Sequence, residues 1–194
     1  MKNTIVIIAL VISAMCYAQD TSEEKLPYYE VPEYSKEFTA GTMAARMVDG
    51  LGFRFYWASE GLTEKDLNYR PSKDVRSSED TIDHILDLSY IIVNSTLKQP
   101  NSRVDKSKMT YEEKRKQALM NLKTAAEILR GSDDISQYKI IFGENEIPFW
   151  NQVNGPIADA IWHCGQLASF RRITGNPINP NVNHFTGKVK EAKD

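Results

Sequence analysis

The sequence predicts an all-α domain, and two observations carry that prediction. Four segments place apolar residues at three- and four-residue steps, the spacing that gathers them on one face of a helix. Each segment also begins or ends at a residue suited to a helix terminus. The chain has 194 residues, enough for one domain with a substantial core.

Residues 1–18 stand apart from that domain. Lys2 precedes the apolar run Ile5 to Met15, followed by Cys16-Tyr17-Ala18. A positive start, an apolar stretch too short to span a bilayer and small residues at the end make a secretory signal peptide, with cleavage expected after Ala18. The alternative is a lipoprotein anchored through Cys16; Met15 opposes it, because a small residue usually precedes a lipidated cysteine. Residues 19–37 are polar, contain Pro27, Pro32 and three tyrosines, and read as an extended arm or a disordered leader.

The bundle is expected over 38–176. The first helix runs to Glu60, with Ala44, Met47, Val48, Leu51, Phe55 and Ala58 as its stripe and Gly61 at its C-terminal cap. Gly50 and Gly52 within it each cost about 1 kcal/mol relative to alanine, which suggests a close approach by another helix or a bend. Residues 62–76 form a long connection containing Pro71. The second helix opens at Ser77 or Ser78 and ends near Lys98, before Pro100, with a stripe centred on Ile85, Leu88, Ser89 and Ile92. The third opens at Thr110-Tyr-Glu-Glu113, a capping box, and ends near Gly131. Residues 132–153 are irregular, as short strands or as a loop over one end of the bundle. The fourth helix opens at Asn154-Gly155-Pro156 and stops at Gly175 before Pro177. The tail, 177–194, is expected to pack as coil.

Charge and cysteines exclude several functions. The formal charge is −2, and loss of Lys2, the one charged residue of 1–18, makes it −3. Arg171-Arg172 and Lys114-Arg115-Lys116 read as solvated helix faces, so nucleic-acid binding has no electrostatic support. No segment beyond 18 is apolar enough to span a membrane. Cleavage would leave Cys164 as the sole cysteine, too few for an internal disulfide. It reads as a small buried residue.

The chemistry concentrates in Asp159-Ala-Ile-Trp-His163-Cys-Gly-Gln166. On a helix, Asp159 and His163 lie one turn apart on one face, with Gln166 beside them as a hydrogen-bonding partner. A carboxylate and an imidazole at that spacing can reach one metal ion, and His84 on the second helix supplies a third ligand between packed helices. The bland alternative is a hydrogen-bonded Asp–His pair in a structural network. Asp80 and Asp87 lie on the His84 side of their helix, placed to orient it or to add a carboxylate; the alternative for both is a solvated acidic face. Trp150 and Trp162 are read as core or pocket wall, and His184, in the tail, as a surface residue.

These residues resemble a known family. Ser77-Ser78-Glu79-Asp80-Thr81-Ile82-Asp83-His84 is similar to the first motif of the DinB/YfiT-like metal-binding four-helix bundles, in which a capping Ser is followed seven residues later by His. The segment from Asp159 to Gln166 resembles the second motif, His-x-x-x-His-x-Gly-Gln, with Asp159 at the first His. Leu67-Asn-Tyr-Arg70-Pro71 resembles the connection between the first two helices. The resemblance covers roughly residues 38–176. It implies a DinB-like bundle, a divalent metal (Zn, Ni, Mn or Fe) on His84, Asp159 and His163, a small-molecule substrate, and pairing through helices as a route to a homodimer. The family's activities imply a metal-dependent hydrolase or a thiol transferase. Export disfavours a transferase that uses a cytosolic thiol. A reading of another class stays open: a non-catalytic bundle binding a small ligand or a partner protein.

Overall fold

The computed structural model describes residues 25–190, so the signal-peptide expectation, Cys16, the start of the arm and the last residues of the tail lie outside it. The described chain is mostly helical. Its helices are α1 (Ala40–Ser59), α2 (Glu64–Leu67), α3 (Ser78–Thr96), α4 (Tyr111–Arg130), α5 (Trp150–Gln152) and α6 (Ala158–Ile173).

Side-chain caps set most of the starts. Thr39, Thr63, Ser77 and Thr110 each accept from the backbone three residues on, and the residue there returns a bond to the cap's own N–H. This satisfies two backbone donors that a helix start leaves unpaired. Gly61 follows α1 with φ +62°, and Gly175 follows α6 with φ +94°, left-handed conformations that glycine adopts freely. The short helix α2 was not expected. Its signal is Thr63 three residues before Asp66.

Helix α4 packs against α1 and α3, and α6 packs against the same pair. Their stripes meet in one core that includes Val48, Leu51 and Phe55 of α1, Ile82, Ile85 and Leu86 of α3, Leu119 and Leu122 of α4, and Ala160 and Leu167 of α6. Burying each large aliphatic side chain stabilises the fold by about 1.5–3 kcal/mol. Met47, expected in the α1 stripe, stays partly exposed at its edge.

The irregular regions meet expectation only in part. The tail is not coil: Val182–Asn183 and Lys188–Val189 pair antiparallel as a hairpin. The described part of the arm docks beside it, with Val31 N–H donating to Gly187 O at 2.8 Å and Val189 N–H to Glu30 Oε1 at 2.9 Å. Tyr28 lies over Gly52, where an added Cβ would come within 2.5 Å of its ring. The close approach to α1 is therefore made by the arm and not by another helix. Between α4 and α5, Ile140–Phe142 and Asn145–Ile147 pair antiparallel around Gly143, which has φ +58°. Finally, a short helix that was not expected precedes the last one. Trp150–Gln152 leads into one wide turn, Val153–Ile157, whose backbone leaves helical geometry at Gly155 (φ −99°, ψ −109°), so Pro156 stands just past that break, where the last helix was expected to open.

Candidate metal centre

The structure brings His84, Asp159 and His163 together: one ligand atom from each lies within 4.8 Å of the other two. Asp159 stands in the first turn of α6, where the helix dipole favours a carboxylate. One turn later His163 presents Nε2 to Asp159 Oδ1 at 3.3 Å. His84 reaches across from α3, with Nε2 3.0 Å from Asp159 Oδ2. The two imidazoles meet edge to face, their centroids 4.7 Å apart. His163 is buried, and His84 and Asp159 are half-buried. The carboxylate thus sits between the histidines, each oxygen facing one ring.

Gln166 orients the site. Its Oε1 lies 2.7 Å from His163 Nδ1. An amide oxygen only accepts, so Nδ1 carries the proton and donates it. In a neutral imidazole that leaves a lone pair on Nε2, which lies 3.3 Å from Asp159 Oδ1.

The set also fits a metal by its chemistry. Two imidazoles and one carboxylate are common ligands for divalent ions of the Zn²⁺ type, and bonds of about 2.0–2.2 Å put tetrahedral donors about 3.4 Å apart. The two carboxylate–imidazole separations, 3.0 and 3.3 Å, are near this, and with all three ligand atoms within 4.8 Å of one another the widest pair has to draw in by up to about 1.4 Å. Burial pushes the His84 pKa below the ordinary imidazole range. The Asp159 hydrogen bond opposes that shift, while the positive charge of Arg76 and the neighbouring His163 add to it. The neutral form is the one that ligates metal.

Other expected residues lie elsewhere. Asp80 does not orient His84: it accepts from Ser77 N–H at 3.1 Å and pairs with Arg70 at 2.5 Å. Asp87 pairs with Lys106 at 2.6 Å, on the side of α3 that faces the 101–109 connection. Trp150 is 81% exposed and borders a separate groove with Met43, Met47 and Phe149, so it belongs to neither the core nor the site. Trp162 is also exposed, but it walls a cleft that reaches Asp159. His184 packs edge-on against Phe53, centroids 5.6 Å apart, and is not part of the triad. Cys164 is buried, and burial pushes its thiol up to about 12.

That cleft of about 660 Å³ was missed in the sequence. It opens between α3, the 140–147 hairpin and the wide turn before α6. Its one signal was the pair of apolar clusters on either side of Gly143, which periodicity alone could not place. Comparison of the chain with models of known protein families, with curated proteins and with solved structures gives no match.

Proposed function

We propose that the protein is an exported, DinB-like metal-binding bundle that acts as a metal-dependent hydrolase, with His84, Asp159 and His163 as the ligands. The observation that carries this reading is the convergence of His84, Asp159 and His163, whose ligand atoms lie within 4.8 Å of one another. Gln166 Oε1, 2.7 Å from His163 Nδ1, leaves Nε2 on the Asp159 side, 3.3 Å from Oδ1. Support for the DinB-like assignment is the order and spacing of the two motifs, together with their meeting in one site.

Three protein ligands leave room for water or substrate on the ion, and a divalent metal so held lowers the pKa of its bound water. The chain's own residues divide the remaining work. Asp159 supplies the negative charge that balances the ion. Gln166 fixes the His163 ring. His84, held toward its neutral form, would carry its proton on Nδ1 and leave Nε2, now 3.0 Å from Asp159 Oδ2, to hold the ion. The adjoining cleft gives a substrate access to Asp159.

One observation favours the non-catalytic reading: Asp159 already contacts both histidines, at 3.0 and 3.3 Å, so a protonated triad satisfies itself as a structural network. Thermal unfolding separates the two. Zn²⁺ or Mn²⁺ at about a hundred times Kd should stabilise the wild type by about 2.7 kcal/mol and leave His163→Ala unmoved. Metal-loaded wild type should also hydrolyse p-nitrophenyl butyrate faster than His163→Ala does. Stabilisation without hydrolysis would leave a metal-binding protein that is not a hydrolase of such esters. Neither effect would leave the structural network.

A further inference from the structure

The cleft beside the triad has a composition that defines what it takes. Leu88 and Ile91 of α3, Phe142 and Ile147 of the hairpin, and Pro156 and Trp162 at the start of α6 form an apolar trough. Asp159 belongs both to its lining and to the triad, so cleft and site are continuous. No Lys or Arg lines it among the described residues, and Asp159 is its one charged group. Its polar groups, Asn151 and Asn154, come from the short helix and the wide turn that lead into α6. A volume of about 660 Å³ lies within the range of small-molecule sites, about 300–1,000 Å³. Phe142 and Trp162 are large apolar side chains left partly in solvent, an arrangement that costs free energy unless a ligand covers them.

We infer that this cleft binds an uncharged aromatic or branched-aliphatic group of a small molecule and presents the polar group beside it to His84, Asp159 and His163. An anionic group within the trough would find no cation in its lining, and only an ion held at the triad could offset its charge. A long cationic group would bury its charge against six apolar side chains, at a cost that one carboxylate at the end of the trough does not offset. The polar end of the inference rests on the metal-centre reading; the apolar end stands without it.

The test uses two probes on the full domain. The first is N-phenyl-1-naphthylamine, a neutral dye that fluoresces when it leaves water, added to chelator-treated protein. The wild type should bind it. Phe142→Asp combined with Ile147→Asp should weaken binding by about tenfold or more, because a carboxylate in an apolar site is poorly solvated. Trp162→Ala, at an exposed position that folding does not depend on, should weaken it as well. Met47→Asp, in the separate groove beside Trp150, should leave it unchanged. Dye binding that is absent, or that responds to Met47→Asp and not to the cleft variants, overturns the inference.

The second probe is 4-phenylimidazole against imidazole on Zn²⁺-loaded protein. The phenyl compound should bind about tenfold tighter or more, and the margin should vanish in the double cleft variant. Equal affinity of the two compounds in the wild type overturns the alignment of cleft with site. A wild type that takes up no metal yet passes the dye test removes the metal-centre reading and leaves the apolar site in place.

Discussion

Gln166 Oε1 lies 2.7 Å from His163 Nδ1, one turn along the same helix, and this contact decides which nitrogen of His163 faces Asp159. Replacing Gln166 removes the constraint without touching a ligand. Gln166→Ala should lower metal affinity about 10- to 100-fold, as loss of an orienting partner does at other metal centres. Competition against a chelator of known affinity measures it, with circular dichroism as the check on folding. Unchanged affinity would mean that the tautomer is set in some other way.

Two glycines of α1 should respond in opposite directions to the same substitution. A Cβ on Gly52 would lie 2.5 Å from the Tyr28 ring, so Gly52→Ala should cost about 1–3 kcal/mol and loosen the arm. A Cβ on Gly50 meets only the Arg54 guanidinium, at 3.3 Å, the far end of a flexible side chain. Gly50→Ala should therefore be neutral or stabilising by up to about 1 kcal/mol, from helix propensity. Thermal unfolding of both variants checks the sign, and a stabilised Gly52→Ala would show that the arm does not dock as described.

Asp66 gives the protein an acid-sensitive joint between α2 and the end of α6. Burial alone would raise its pKa. Hydrogen bonds from Thr174 Oγ1, Asn176 Nδ2 and the Thr63 backbone and hydroxyl outweigh that and hold the carboxyl well below its usual range. The folded state thus resists protonation more than the unfolded chain does. The stability this provides is present above the unfolded carboxylate pKa, about 3.9, and is lost as pH falls through that value toward the lower folded one. Asp66→Asn should cost about 2 kcal/mol at pH 7. The gap from wild type should narrow as pH falls below about 4, in a series of unfolding curves. A gap independent of pH would rule out the charge as its source.

The export proposal is checked on protein from the native host. Intact mass should match a chain beginning at Gln19. A lipid on Cys16 would favour the anchored form, and retention of Met1 in the soluble fraction would count against a signal peptide.

The helices were legible because their signals are local. The Ser77 and Thr110 caps, the glycines at 61 and 175 and the stripes on α1, α3 and α4 all act within a few residues, and the long helices begin and end within about three residues of expectation. Asp159, His163 and Gln166 were legible for the same reason, since helical spacing alone puts them on one face. His84 was harder. It lies at the margin of its stripe, and only the packing of α3 against α6 turns it toward the carboxylate. Asp80 and Asp87 show the limit of such reasoning. They share His84's side of α3, but a cap and two cations, Arg70 and Lys106, hold them elsewhere. The cleft and the arm–tail contact depend on residues far apart in the chain. Their partners could not be read from periodicity.

Metal content tests the central claim most directly. Wild type, His163→Ala and Asp159→Asn, purified without a histidine tag and exposed in turn to Zn²⁺, Mn²⁺ and Ni²⁺, are desalted and measured by mass spectrometry. The account predicts about one ion per wild-type chain for at least one of the metals and a clear loss in both variants, since each removes one of three ligands. Equal, substoichiometric metal in all three proteins would contradict it, and the Asp159 contacts to His84 and His163 would then stand as a structural network.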